Sequence, residues 1–500
     1  MGEVKRETEL TRRQLMAAAG GLALLGGGGW AATELLGGAG REKRLPSFIS
    51  GATKPARHFR SRPDLQPSAV AVSGATDQPG YLFIPPSWND ASQSGRLIVD
   101  NDGEPIWFAP FSGFHLATNL KAQSYRGQPV LTWWEGRVVD YFGQGIGVIA
   151  DTSYREIARV RPANGRHMDL HEFRLTPEGT ALFTCFPETV VVDASSLGGP
   201  SDLPVRESVV QEVDVRTGRL LLEWRGLDHI HPSESYNPMG IPWDYLHANS
   251  VAVTDDGQLL ISCRETWSLC KVDRRTGEVI WRLGGKRSDF AMGMDAQFSF
   301  QHHAQPVSNG ITVFDNASDG KNRPRPESRG ILLEVDEGGH SVRLARSYTH
   351  PKPLSSGAEG SVQILPGGNV LVGWGFRGYT SEFTPDGKVV ADAHFVAPTS
   401  SYRAYRMPWR ARPHDRPAIA VAGERATGKR TVYVSWNGAT EVRGWRVHAG
   451  PAARQLSAVG VAPRRGFETA IPLGSASGHV AVSALDAAGT VLGTSDTLRL

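Results

Sequence analysis

Gln211-Glu212-Val213-Asp214-Val215-Arg216-Thr217-Gly218-Arg219, running on to Trp224, recurs as Lys271-Val272-Asp273-Arg274-Arg275-Thr276-Gly277-Glu278-Val279, running on to Trp281. Weaker copies lie at Glu334–Gly339 and Glu382–Gly387. Counted at one shared position (Asp214, Asp273, Asp336 and Thr384), the spacings are 59, 63 and 48 residues. Each copy follows a glycine turn and a short apolar run: Gly179–Phe183, Gly257–Ile261, Gly310–Phe314 and Gly368–Val372. A repeat of this size, made of short strands and tight turns, is the signature of a β-propeller blade. A pair of large β-sandwiches would leave the repeat without a cause.

Working outward, the chain beyond about residue 60 keeps the same texture, with apolar runs of strand length, turn dipeptides between them and hardly any helical periodicity. From about Ala411 the character changes. Seven strand-like runs fit into fewer than about ninety residues, and Trp445 follows the turn Asn437-Gly438. That pattern suits a small fibronectin-type or immunoglobulin-like sandwich. The expected organisation is a leader at 1–44, a propeller at 45–410 and a sandwich at 411–500.

The leader reads as a targeting segment. Thr11-Arg12-Arg13-Gln14-Leu15-Met16 is a twin-arginine pattern, followed by an Ala/Gly-rich stretch to Gly40 interrupted by Glu34. A spanning helix would be more apolar and poorer in glycine. The expectation is export by the twin-arginine translocase to the cell envelope or beyond, with cleavage and membrane anchoring both open. Net charge is +3 over 500 residues, and no lysine/arginine run stands out in the body, which argues against a nucleic-acid partner. Three cysteines make no disulfide framework, although Cys263 and Cys270 are spaced to pair across a hairpin in an oxidising compartment.

Five stretches set a histidine or arginine beside strand-like sequence: DLHEFRLT (Asp169–Thr176), DHIHPSESY (Asp228–Tyr236), DYLHANSV (Asp244–Val251), ISCRETWS (Ile261–Ser268) and FQHHAQ (Phe300–Gln305). In a repeat scaffold such residues meet although they are distant in sequence. On a strand, His247 and Asn249 share a face, whereas His302 and His303 point apart. Arg264 offers a fork of donors to an oxyanion, and a neutral imidazole can attack an electrophile. A lone histidine is often a core residue bonded to backbone; several at strand–loop junctions of one scaffold favour a shared anionic ligand. There is no glycosidase-type carboxylate pair beside these histidines, no GxSxG elbow and no P-loop. Metal chelation by His229 and His231, or by His167 and His171, is the competing chemical reading, weakened by Pro232 and by strand context. No metal or other cofactor is expected.

At these residues the chain resembles the arylsulfotransferase family, the PAPS-independent bacterial arylsulfate sulfotransferases and their actinobacterial relatives. The resemblance rests on DLHEF, LDHIHPSESY, DYLHANSV, LLISCRETW, VDRRTGEVIWRLGGKRSDF, FQHHAQ with NGITVFDN, GSVQILPGGNVLVGWG and SYRAYRMPW, and runs from about Phe59 to Trp409. It implies a six-bladed propeller and ping-pong transfer of a sulfuryl group from an aryl sulfate donor to a phenolic acceptor through a sulfohistidine. The family's nucleophile falls on His302, its supporting histidines on His171 and His247, its arginine on Arg264 and its H-x-N asparagine on Asn249. The family commonly carries Asp or Thr after the nucleophile. Here that residue is His303, expected at the substrate site beside it. Two other readings compete: a quinoprotein-type dehydrogenase, which shares the D-x-x-T-G blade turn, and a non-catalytic secreted binding propeller with its histidines spread over the outside.

Overall fold

Each repeat falls at the same place in an antiparallel four-stranded meander. The first lies in Met168–Leu175, Thr180–Val192, Leu203–Asp214 and Leu220–Arg225; the second in Ala248–Val253, Leu259–Cys263, Ser268–Val272 and Val279–Gly284. The third occupies His302–Val307, Gly310–Asp315, Arg329–Asp336 and Ser341–Tyr348, and the fourth Ser361–Ile364, Val370–Gly373, Tyr379–Phe383 and Val389–Phe395. The repeated motif is the turn between third and fourth strands. Asp214 accepts from the Thr217 N–H and hydroxyl, both at 2.7 Å, and Asp273 from the same groups of Thr276 at 2.7 and 3.0 Å. Gly218 and Gly277 follow at φ 71° and 81°, a region that a side chain would disfavour.

These strands come from a computed structural model that describes residues 56–87, 92–111, 115–308, 310–423, 429–474 and 478–500. The twin-arginine segment, with the boundary expected after residue 44, lies outside the described residues. Two further meanders lack the repeat. Leu116–Tyr125, Gln128–Val139, Phe142–Ala150 and Glu156–Val160 form one, joined to the first repeat's sheet by the single pair Gly145↔Met168. Tyr81–Phe83, Gly95–Val99 and Pro105–Pro110 form the other, completed by Tyr405–Met407 from the far end of the region (Leu82↔Arg406). Val70–Gly74 likewise pairs with Val389–Phe395. The protein is all-β, and early strands are stitched to late ones twice.

The region after Ala411 forms two antiparallel sheets, one from Ala418–Gly423, Arg430–Ser435 and Glu468–Gly474, the other from Gly444–Ala452, Gln455–Pro463, His479–Leu485, Val491–Thr494 and Leu498–Arg499. Val432, Val434 and Ile471 of one sheet share a core with Trp445, Val447, Val480 and Val482 of the other. The Asn437 side chain brackets the Phe108 backbone, accepting its N–H at 2.9 Å and donating to its carbonyl at 2.8 Å. Cys185, Cys263 and Cys270 are buried free thiols; Cys263 sits opposite Ser268 in the ladder and Cys270 opposite Ile261.

One local device recurs on the first strands of the meanders. The ladder slips between Thr118 and Lys121, between Ala248 and Ser250, and between His302 and Gln305. Asn119, His247 and His303 lie in or beside these slips with φ of 54°, 53° and 53°. A bulge re-aims a side chain that a regular strand would send elsewhere, and left-handed backbone at a branched side chain persists where surrounding contacts hold it. At Asn119 that contact comes from the fully buried Arg403. It donates to Glu172 at 2.8 Å, to the Asn119 side chain at 2.7 Å and to the Asn249 carbonyl at 3.1 Å, while Lys121 donates to the other oxygen of Glu172 at 3.2 Å. Glu172→Gln leaves two cations buried without their carboxylate. It is expected to destabilise the fold by about 3–5 kcal/mol in urea unfolding. Arg410→Ala, which breaks an exposed pair with Glu441, should leave the urea midpoint almost unchanged.

Candidate functional site

His171 projects from Met168–Leu175, and its partner is fixed by strand geometry. Asp169, two residues earlier on the same face, accepts from His171 Nδ1. Asp169 also accepts the Gly143 N–H at 2.6 Å and the Thr184 hydroxyl at 3.2 Å, so all its visible partners are donors. Gly143 permits this contact because a Cβ there would stand 2.5 Å from the Leu170 nitrogen. His247 precedes Ala248–Val253, and its Nδ1 meets Asp244 Oδ2 at 2.6 Å. The two imidazoles meet each other, Nε2 to Nε2, at 3.1 Å. Phe142 lies against both rings, 5.7 and 4.7 Å between centroids.

Arg264 opens the turn after Leu259–Cys263, with its backbone held by the His247 carbonyl at 3.0 Å. Its guanidinium pairs with Glu265, donates to the Gly357 carbonyl at 3.1 Å and stacks over Phe300 at 5.1 Å. His302 opens the strand His302–Val307 and is 2% exposed. The Asn316 amide group donates to the carbonyls of Ser356 and Glu359, at 2.9 and 3.0 Å, which turns its oxygen toward His302 Nδ1 at 2.7 Å. The Glu359 N–H points at His302 Nε2 at 3.3 Å. The network therefore assigns the proton to Nδ1 and the lone pair to Nε2. Tyr402 stands between the histidines, 6.4 Å from the His302 ring and 5.7 Å from that of His171, and its hydroxyl is buried with no hydrogen-bond partner.

Electrostatics follow from burial. Burial, then the Arg264 charge and His171, hold His302 well below the usual histidine range, and burial with His171 and Arg264 does the same to His247. Burial pushes Asp244 up to about 6, Glu265 to about 7 and Glu359 to about 8, against the pull of Arg264 on the first two. Perturbed groups gathered at one place mark a functional site better than any one of them does.

The structure thus brings His171, His247, Arg264 and His302 into one buried cluster. Asn249 is buried one layer deeper; it donates to the Gln301 carbonyl at 2.7 Å, and its Oδ1 has no partner. His303 faces the other way. Its Nδ1 accepts the Val362 N–H at 3.2 Å, its Nε2 meets the Tyr405 hydroxyl at 3.0 Å, and its charged neighbours are Arg403, Glu172 and Lys121. The DHIHPSESY stretch sends neither histidine into the cluster: His229 stacks on Trp224, and exposed His231 accepts the Ser233 N–H. A displayed binding surface would have these side chains outside, whereas the four in the cluster are buried or nearly so. Asp244, His247 and Glu265 place one donor atom each within 4.8 Å of one another, near enough to chelate. Glu265 is already paired with Arg264 and His247 Nδ1 with Asp244, and the guanidinium would repel a second cation. We read the group as a hydrogen-bonded cluster.

Sequence reasoning missed Asp169, Asp244, Asn316, Tyr402 and Glu359. Two carried a signal: D-x-H and D-x-x-H place a carboxylate within reach of a histidine. Asn316 and Tyr402 carried none, since only folding brings NGITVFDN and SYRAYR to His302.

Those features define a class, an all-β protein with a buried cluster of histidines and an arginine. A profile of the arylsulfotransferase (ASST) family matches residues 121–396, more than half of the chain, and the chain belongs to that family. No curated protein matches its sequence. Among solved structures, a protein of unknown function from Bacteroides caccae is 14% identical over 65% of this chain and 98% of its own, with a TM-score of 0.40. Virginiamycin B lyase from Staphylococcus aureus is 9% identical over 74% of this chain and 96% of its own, at 0.31, and Kuenenia stuttgartiensis hydrazine synthase 14% identical over 58% and 60%, at 0.23.

Burial of titratable groups also bears on the acid sensitivity of the fold. His303, held neutral when folded, takes up a proton in the unfolded chain below about pH 6.5. Its contribution is therefore present above pH 6.5 and is lost as pH falls toward the lowered folded value. Asp244 and Glu265 act with the opposite sign, because they bind protons in the folded state first. His303→Gln should flatten the loss of unfolding free energy between pH 6.5 and 5 by up to about 1.4 kcal/mol per pH unit, read from urea titrations at each pH.

Proposed function

We propose that the protein moves a sulfuryl group from an aryl sulfate to a phenol, by a ping-pong route without PAPS, through a sulfohistidine at His302. The observation that carries this is the Nε2 lone pair of a neutral, buried His302 beside a guanidinium and two further imidazoles. A sulfuryl group in flight spreads charge over three oxygens in a loose transition state, as phosphoryl does, so the protein mainly positions reactants and neutralises charge. His302 Nε2 attacks sulfur in line as the S–O(aryl) bond breaks. Arg264 and His247 hold the sulfuryl oxygens, and His171 protonates the leaving phenoxide and later takes the acceptor's proton. The proton on Nδ1 stays with Asn316 throughout.

The same reading makes the scaffold a six-bladed propeller, with the eight-stranded sheet counted as two blades touching at Gly145↔Met168 and the ring closed by the early–late strand pairs. The region after Ala411 is read as a fibronectin- or immunoglobulin-like sandwich. The leader sequence supports export by the twin-arginine route to the cell envelope or beyond, with the aryl sulfate met outside the cytoplasm.

His302→Ala should abolish transfer from p-nitrophenyl sulfate to phenol. Arg264→Ala should lower the rate by about 10²–10³, the loss typical of one charge-stabilising donor. Wild-type protein quenched with donor alone should carry one sulfuryl mass on the peptide containing His302, discharged by phenol. Full turnover by His302→Ala would overturn the assignment.

A further inference from the structure

The contact between His171 and His247 has a proton inventory. Asp169 accepts from every other partner, so His171 Nδ1 carries a hydrogen. Two imidazole nitrogens 3.1 Å apart repel unless a proton lies between their lone pairs. Asp244 Oδ2 and His247 Nδ1, at 2.6 Å, likewise need a proton on one of them. Three contacts thus hold three protons, whichever microstate is drawn. With both carboxylates counted as ionised, the two rings together carry one proton more than two neutral imidazoles.

We infer that Asp169, His171, His247 and Asp244 act as one acid–base unit that stores a single exchangeable proton between the two imidazoles. Asp169 and Asp244 are its positioning residues. The inference rests on the sulfuryl-transfer reading for what the proton does. In the first half-reaction, N–S forms at His302 as S–O(aryl) breaks, and the stored proton passes from a ring Nε2 to the phenoxide oxygen. In the second, the acceptor phenol's O–H proton returns to that nitrogen while its oxygen bonds to sulfur and N–S breaks. No other co-reactant is required. The charged and titratable groups facing the unit are Arg264 and Glu265 from the turn after Leu259–Cys263, Arg206 from Leu203–Asp214, His302 and Tyr402. Phe142 covers both rings, and the Arg206 guanidinium lies over the Phe142 ring at 5.5 Å. Two guanidiniums nearby oppose a second stored charge, which keeps the unit at one.

Imidazole-labelled full-length protein should show one low-field proton correlated with Nε2 of both residues, absent from His247→Gln. Two separate neutral rings without that resonance would overturn the shared proton. For Asp244→Asn, the acid loses a stabilising negative charge, so the alkaline limb of kcat/KM should move to lower pH. Its loss of rate with phenyl sulfate, a poor leaving group, should exceed its loss with p-nitrophenyl sulfate by about tenfold or more, within the range of general-acid effects. An equal loss on both esters would reduce Asp244 to a structural part. Wild-type protein that keeps the resonance but transfers from neither ester would overturn the sulfuryl reading and the acid role, while the shared proton would stand.

Discussion

Arg403 is the pin of this molecule. Its guanidinium is fully buried and is tied to three of the bulged or site-bearing strands at once, through Asn119, Glu172 and Asn249. A buried ion pair between only two groups is rarely a net gain, because desolvation offsets the attraction. Here the pair does something a hydrophobic replacement would not: it fixes the mutual position of strands whose ladders slip where functional side chains leave them. Although burial pushes upward, Arg403 and Lys121 hold the Glu172 carboxyl well below the usual range. The reciprocal consequence is visible at Lys121, which burial brings down to about 8. One carboxylate serves two cations, and the ammonium is the less well compensated.

That arrangement borders the cluster of His171, His247, Arg264 and His302. Beside it, the same desolvation that depresses His302 raises Asp244, Glu265 and Glu359. Arg264 is the cation among these groups, paired with Glu265 and set over Phe300. Its neighbours adjust to it. The result is a pocket whose strongest fixed charge is positive, with the His302 imidazole held neutral nearby. An oxyanion completes such a site better than a cation or a neutral ring does.

The fold was legible because it repeats. The D-x-x-T-G turn, with its aspartate collecting the threonine N–H and hydroxyl, is a local structure that four or so residues determine by themselves. The strands around it have the period of two that side-chain alternation demands. The site was legible in part, for a different reason. His247, Arg264 and His302 stand at strand–loop junctions and His171 on the strand Met168–Leu175, in three consecutive repeats, so the architecture alone predicts convergence. What could not be read was direction. Asn249 shares the expected strand with His247 yet lies deeper, because His247 sits at φ 53° and the ladder slips just after it. Asn316 and Tyr402 acquire meaning only through contacts across the chain, and no spacing encodes them.

Adjacent His302 and His303 show how far surroundings separate two residues of one type. Both are buried and both are held neutral by desolvation. They differ in what becomes of the lone pair. At His303 the Val362 N–H takes the Nδ1 lone pair and Tyr405 takes Nε2, so both nitrogens are engaged in the same layer as Arg403. At His302 the amide of Asn316, itself oriented by two carbonyls, claims the Nδ1 proton and leaves Nε2 with a single long contact from the Glu359 N–H. The two imidazoles thus differ in surroundings: His302 lies between Asn316 and Glu359, His303 between Val362 and Tyr405. Glu359 itself holds a left-handed backbone, φ 64°, and that geometry aims its N–H at the imidazole. Strain of this kind, of the order of 1–3 kcal/mol, is tolerated where the surrounding structure over-determines it. Here the Glu359 carbonyl is held by the Asn316 amide at 3.0 Å.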